Sequence, residues 1–484
     1  MVSSLRHRTL MGLIWRTIGQ YGALAIRFVV LLILASILTP TDFGLVGMAM
    51  IFIMFADSIS ELGLVQAIIQ RQDIGESVLS TAFWTNLSLG LGIGILGFIG
   101  AELITEFLGD PAAAPVLRAL AIMFPISALS TIQRALIVKH LEFDRFAYRN
   151  IISSIAFGIV SISLAMLGAG VWSLVGGNLA RSIVGTAIYW AAVPWRPKIV
   201  FSTQTLRELL QFGLPAFISA MFSRGMTNID YFVVGRWLGT EALGYYTLAF
   251  QLAVVPGQRL IGIVRSVTFP AFSEIQDNLR RLSDAFLEGI QHLFVVITPL
   301  TILIIMISPW FINALYDDKW ADSILPMQIL AVAGYFYAFD ITQSLYYAVG
   351  KPQIRIWIIG FRIALFAIFF FTIGASFGII GVATGLVFAA AFSSLLNIKV
   401  AMSITGFSLG DILSPIWISI RAAIFASVPV LVFTLLPISQ KFSSWFLLIG
   451  FVIIFLSIYL IGILPWYWPM LIRLSGNVVQ KLRR

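Results

Sequence analysis

The chain has no cysteine in its 484 residues, which excludes disulfides, thiolate chemistry and cysteine-based metal sites and leaves the compartment open. Charge is also scarce. Only 11% of the residues are charged, against about 25% in a soluble domain. With 59% hydrophobic residues and a mean hydropathy of +0.97, a water-soluble globular fold is excluded. Histidine is confined to His7, His140 and His292, far apart, without metal-ligand spacing and without a nucleophile motif beside them. No catalytic constellation emerges, so the chain reads as a non-enzyme without cofactor or metal. A phosphate-binding glycine loop is missing too, as is a soluble segment large enough for an ATPase. Any work the protein does must draw on an ion gradient, H+ or Na+, or on its substrate's own gradient. The outer loops are too short to carry the catalytic carboxylates of a membrane glycosyltransferase or polymerase.

What is present is a succession of apolar stretches long enough to cross about 30 Å of hydrocarbon. They run near residues 10–38, 43–65, 79–108, 116–138, 148–167 and 171–193, then 206–234, 243–264, 286–312, 324–349, 354–377 and 379–402, and finally 416–436 and 445–470. The reading is an all-α polytopic membrane protein with about fourteen transmembrane helices. Arg6, His7 and Arg8 before the first run superficially resemble a signal peptide. Arg16 and Arg27 interrupt that run, and no small-residue cleavage site follows, so it is read as a retained first helix. The net charge of +9 and pI near 9.8 reflect cationic loops held on the cytoplasmic side, with no nucleic-acid partner implied. Arg71, Lys139, Arg145, Arg196, Lys198, Arg280, Arg281, Lys351, Arg355, Lys481 and Arg483 fall at alternate ends, against Arg236, Lys319 and Lys441 on the other side. Both termini are therefore expected in the cytoplasm.

The first six spans overlay the next six. Leu38, Phe43 and Gly44 match Leu238, Leu243 and Gly244 at an offset of 200 residues; Leu120, Ala128, Gln133 and Arg145 match Leu330, Ala338, Gln343 and Arg355 at 210; Gly170 and Gly177 match Gly378 and Gly385 at 208. An even number of spans per half implies parallel repeats about an axis along the membrane normal. The expected organisation is one six-helix bundle over 1–200, a second over 201–405, and an extra helix pair with a basic tail over 406–484. Within 270–289, Phe272, Ile275, Leu279, Leu282 and Phe286 recur at helical spacing. They predict an amphipathic helix lying flat at the cytoplasmic interface.

An ionisable side chain at mid-bilayer costs about 2.5–3.5 kcal/mol on insertion scales, so it faces a cavity or a partner. On the first span Arg16, Gln20 and Arg27 share a face, because helical steps of four and eleven return within roughly 40°. The seventh carries Arg224, Asn228 and Tyr231, and the second Asp57 and Glu61 one turn apart. Gln251, Gln258 and Arg259 lie on the eighth; Asp340 sits on the tenth with Tyr337, Ser344 and Tyr347. Arg181, Arg362 and Asp230 complete the set. Guanidinium groups stay charged at any depth and bind phosphate oxygens bidentately, so the arginines with Gln20, Asn228, Tyr231 and Gln251 predict a cationic, polar cavity for a phosphate-bearing substrate. Asp57, Glu61, Asp230 and Asp340 are the candidates for ion coupling. The alternative for each is a structural ion pair, with Arg16 and Arg362 also close enough to an end to snorkel.

Three stretches carry a family resemblance: LTPTDFGLVGMAMIFIMFADSISELGLVQAIIQRQD from Leu38 to Asp73, FPAFSEIQDNLRRLSDAF from Phe269 to Phe286, and DKWADSILPMQILAVAG from Asp318 to Gly334. They resemble the polysaccharide transporter family of the multidrug, oligosaccharidyl-lipid and polysaccharide exporter superfamily, the first most like its colanic-acid and exopolysaccharide branch. The resemblance implies a flippase that moves undecaprenyl-pyrophosphate-linked oligosaccharide repeats from the cytoplasmic to the periplasmic leaflet of the bacterial inner membrane by alternating access. Such a protein serves exopolysaccharide, O-antigen or capsule synthesis alongside a polymerase and chain-length machinery. Rival readings are an ion-coupled drug or cation antiporter of the same superfamily and a flippase for the peptidoglycan lipid precursor.

Overall fold

A computed structural model describes residues 2–72, 74–435 and 443–482. Its described residues contain helices and no strand. In chain order the helices are α1 (Val2–Ile37), α2 (Pro40–Glu61), α3 (Leu64–Gln70), α4 (Glu76–Ile99), α5 (Ala101–Leu108), α6 (Ala114–Ala121), α7 (Met123–Ala128), α8 (Thr131–Lys139), α9 (Phe143–Met166), α10 (Val171–Ala192), α11 (Thr203–Thr227), α12 (Ile229–Leu238) and α13 (Thr240–Ala253). They continue as α14 (Val255–Glu274), α15 (Leu279–Tyr316), α16 (Ile324–Tyr337), α17 (Thr342–Ala348), α18 (Gln353–Thr372), α19 (Gly378–Thr405), α20 (Leu409–Leu435) and α21 (Ser444–Leu482). Among the described residues eleven helical stretches are long and apolar enough to cross a membrane, or twelve if α13 and α14, bent by 42° at Val254, form one broken span. Two more helices, α10 and α11, have spanning length at 22 and 25 residues, compatible with the fourteen expected. The chain is a multi-pass membrane protein.

Two compact units divide the chain, Met1–Thr247 and Leu248–Arg484, with the boundary inside α13. In the first unit α11 and α12 pack on α2, and α11 also on α3 and α4, which carries this unit past residue 200. Its longest contacts run between α1 and α9 and between α9 and α10. They depend on missing side chains. A Cβ at Gly19 would overlap the Ala147 backbone, and one at Gly177 would overlap Ser161 Oγ. Without a hydrophobic drive between helices in lipid, such close approach is what makes dispersion contacts tight enough to hold them.

The internal repeat shows in the irregularities. A 3-10 turn over Pro111–Ala113 leads into α6 at Ala114, and a 3-10 turn over Asp317–Ser323 leads into α16 at Ile324, again 210 residues on. Both of these spans are then broken, between Ala128 and Thr131 in the first unit and by a 3-10 turn over Ala338–Ile341 in the second. Gly170 before α10 has φ 54°, ψ −130°, and Gly378 before α19 has φ 58°, ψ −137°. Only glycine adopts that backbone without strain. Within the first unit, a Cβ on Gly44 would strike the Thr240 carbonyl and one on Gly244 the Pro40 carbonyl. That reciprocity, across an offset of 200, is what a local two-fold axis produces.

Two expectations are corrected. The seventh span breaks at Asn228, whose φ −128°, ψ 21° ends α11 before α12 begins, so Arg224, Asn228 and Tyr231 do not form a stripe on one continuous helix. Likewise Gln251 lies before the bend at Val254 and Gln258 and Arg259 after it, where Pro256 in the first turn of α14 removes a backbone donor. No separate helix spans 270–289. Instead α14 continues through Pro270 to Glu274, and α15 starts afresh after Asn278, whose Oδ1 accepts from the Arg281 amide at 3.0 Å. Much of the apolar stripe is taken up within the protein: Phe272, Leu282 and Phe286 are buried, and Phe286 stacks on Phe407 at 5.6 Å, while Leu279 stays exposed. In the second unit α15 also packs against α20 and α21, whose core of Ala422, Ala423, Ala426, Phe451, Phe455 and Tyr459 seats the C-terminal pair.

Introducing leucine at Gly19 should destabilise the protein by about 1–3 kcal/mol, the range for overpacking. The same change at Gly92, where a Cβ meets open space, should be tolerated, as thermal unfolding of both variants in detergent would show.

Candidate functional site

The intramembrane charges fall into two groups with opposite chemistry. In the second unit Arg362 on α18 is held bidentately by Asp340, with Nη2 to Oδ1 at 2.6 Å and Nη1 to Oδ2 at 3.1 Å. Its Nε donates to Ser393 Oγ at 2.9 Å, and its plane lies 4.9 Å from the Tyr337 ring centre. Asp340 also accepts from Asn397 Nδ2 at 3.4 Å, and Asn397 Oδ1 accepts from the Thr342 and Tyr346 hydroxyls at 2.9 and 3.0 Å. The break between α16 and α17 is what brings Asp340 to α18 and α19. Both residues were candidates, Arg362 for the cavity and Asp340 for coupling. The structure joins them in a closed network that leaves neither charge unanswered, the ion-pair alternative for this couple.

The first unit is different. Arg181 sits halfway along α10 with its guanidinium 6.0 Å from the Phe157 ring centre. Among the described residues no carboxylate lies within 4 Å of it; the charges it feels are Arg27, Arg149 and, with opposite sign, Asp57. Arg27 on α1 is half-buried and its Nε donates to the Ala23 carbonyl at 3.3 Å. Among the described residues no carboxylate lies within 4 Å of Arg149 on α9 either, and its plane lies 5.1 Å from the Tyr189 ring centre. Arg134 on α8 is in electrostatic range of both Arg149 and Tyr189. Four α10 positions a turn apart, Gly177, Arg181, Gly185 and Tyr189, meet α9 in sequence. The spacing of four keeps them on one face.

The remaining expected residues scatter. Arg16 and Gln20 are exposed, Arg16 5.8 Å from the Phe143 ring centre near the start of α1. Tyr231 packs edge-on against Tyr246 at 5.6 Å, and Asp230, 3% exposed, accepts from the Tyr246 hydroxyl at 2.6 Å. Gln251 is half-buried on α13 and Arg259 exposed on α14. The side chains of Arg224 and Glu61 lie outside the described residues. Sequence reasoning singled out Arg27, Arg181 and Asp57 as ionisable residues within their spans and missed Arg149. That residue stands four positions from Arg145, a loop cation by the charge rule, and so looked interfacial. The glycine and arginine alternating every fourth position on α10 was the signal available.

Replacing Arg362 with Met should lower the unfolding temperature more than replacing Arg362 with Met and Asp340 with Leu together. The double-mutant cycle should give a coupling of about 0.5–3 kcal/mol, measured by thermal unfolding.

The comparisons agree with this architecture. The chain is 28% identical over 437 residues to lipopolysaccharide biosynthesis protein WzxC of Escherichia coli (strain K12), covering 89% of this chain and 87% of the relative. It is 27% identical over 319 residues to succinoglycan biosynthesis transport protein ExoT of Rhizobium meliloti (strain 1021), covering 66% and 65%. The fold is similar to a solved structure of the lipid II flippase MurJ in an inward closed conformation, with a TM-score of 0.74 at 14% identity over 96% of this chain and 99% of that one. Residues 33–325 match the model of a family described as polysaccharide biosynthesis protein, and the chain belongs to that family.

Proposed function

We propose that the protein is a flippase that carries undecaprenyl-pyrophosphate-linked oligosaccharide repeats across the inner membrane by alternating access, in the service of polysaccharide export. The observation that carries the reading is Arg181, a permanent cation halfway along a helix of spanning length, with no carboxylate among the described residues within 4 Å of it and with Arg27 and Arg149 in electrostatic range. A bilayer tolerates such a charge only where water or an anion reaches it, and a pyrophosphate presents two guanidinium-sized binding edges. Family membership over residues 33–325 supports the cargo class. So does the word transport in the succinoglycan relative's name and flippase in that of the structural neighbour.

Asp340 is committed to Arg362, which removes it from the candidates for coupling. We assign coupling to H+ or Na+ to Asp57 or to Asp230, which lies buried against Tyr246. Both termini face the cytoplasm in this reading, with polymerase and chain-length machinery acting on the delivered repeats outside. Replacing Arg27 and Arg181 together by Ala should abolish polysaccharide export in a deletion strain while leaving membrane insertion intact. Unchanged export would contradict the reading.

A further inference from the structure

Arg181 and Arg27 are not the only cations set within the first unit's helices. Arg149 lies six residues into α9, about 9 Å along the helix from its start, whereas Arg181 lies eleven residues from the end of α10, about 16 Å. The end in question is the one that carries Arg145, Arg196 and Lys198, so Arg149 stands at headgroup depth and Arg181 near the middle of the bilayer. The two sites are separate steps along one face.

Around Arg149 several polar groups have no partner among the described residues. Nη1 donates to Asn150 Oδ1 at 3.1 Å, while Nε is buried with no hydrogen-bond partner. The hydroxyl of Tyr189, a residue 2% exposed, is likewise buried without a partner. Arg149 itself is only half-buried, so a ligand can reach it. Gly185 makes room for the group: a Cβ there would stand 2.6 Å from Nη2 and 2.7 Å from Nε. Arg134 adds a second positive charge within electrostatic range. A guanidinium cannot shed its charge, and a buried donor left unsatisfied costs more than a hydrogen bond returns. Something with several acceptor oxygens would satisfy Arg149 Nε and Tyr189 Oη together.

We propose that Arg149, seated against Gly185, forms with Tyr189 and Arg134 an oxyanion-binding entry subsite that takes the anionic group of the cargo at the leaflet where it is loaded, before Arg181 and Arg27 engage it. This rests on the flippase reading. Phosphate oxygens of the lipid carrier and the carboxylate of an acidic sugar share the required chemistry.

The test is equilibrium binding to the purified full chain in nanodiscs, with two probes: undecaprenyl pyrophosphate and a lipid-free oligosaccharide bearing glucuronate. Arg149→Gln should weaken binding of at least one probe by about tenfold or more, as expected for lost charge-assisted hydrogen bonds. Arg149→Lys should restore part of it, since a point charge replaces the fork. Gly185→Ala keeps every charge and displaces only the flexible guanidinium, so it should weaken the same probe several-fold at an unchanged melting temperature. An effect confined to the pyrophosphate assigns the subsite to the carrier; one confined to the oligosaccharide assigns it to the sugar. If Arg149→Gln and Gly185→Ala bind both probes like the parent, the subsite is wrong and the flippase reading stands. Should Arg149→Gln fail to fold, unchanged binding by Gly185→Ala overturns the subsite by itself. A parent protein that binds neither probe overturns both.

Discussion

A guanidinium inside a bilayer has no way to discharge itself, and much of this protein can be understood as an answer to that constraint. Carboxylates and lysines can neutralise when buried, but arginine must be met by an acid, by water or by a ligand. The second unit meets Arg362 with Asp340 and then satisfies Asp340 through Asn397, Thr342 and Tyr346, which closes the network locally. The first unit holds Arg149 and Arg181 on aromatic rings, with no carboxylate among the described residues adjoining either. One sequence repeat thus carries two solutions, a structural one and an open one.

Packing makes the open solution affordable. Glycines on α1 and α10 let α9 approach both neighbours closely enough for dispersion contacts to hold the three helices, so their rigidity does not rely on the arginines. The same small residues leave volume for the long side chains between them, as Gly185 does for Arg149. Helix breaks act in parallel. The interruption between α16 and α17 turns Asp340 toward α18, and the matching interruption between α7 and α8 begins the short helix that carries Gln133 and Arg134.

The helical class and the repeat were legible because they rest on long-range regularities, apolar runs of spanning length and glycines recurring at nearly constant offsets, and the family was legible in the stretches Leu38–Asp73, Phe269–Phe286 and Asp318–Gly334. Gly170 and Gly378 even share a backbone conformation that their offset predicted without naming it. What sequence could not show was where a run of spanning length contains a break. Asn228, Val254 and the turn at Ala338 each interrupt an apolar stretch without changing its hydropathy, so the stripes drawn across Asn228 and Val254 do not run along one continuous helix. The stripe from Phe272 to Phe286 has the periodicity of an interfacial helix, yet periodicity does not say whether lipid or Phe407 covers it. Arg181 and Arg27 were found because they stand deep within their spans; Arg149 was hidden by its closeness to a loop.

The central claim is that water or an anion reaches Arg181, while the lipid-facing side of α10 stays dry. Because the chain contains no cysteine, single substitutions report this directly through a membrane-impermeant thiol reagent, which needs a water-exposed thiolate. The account predicts that Arg181→Cys is labelled in inverted or right-side-out vesicles while Ile183→Cys, an exposed apolar position on the same helix, is protected by lipid. Equal protection of both cysteines from either side would contradict it.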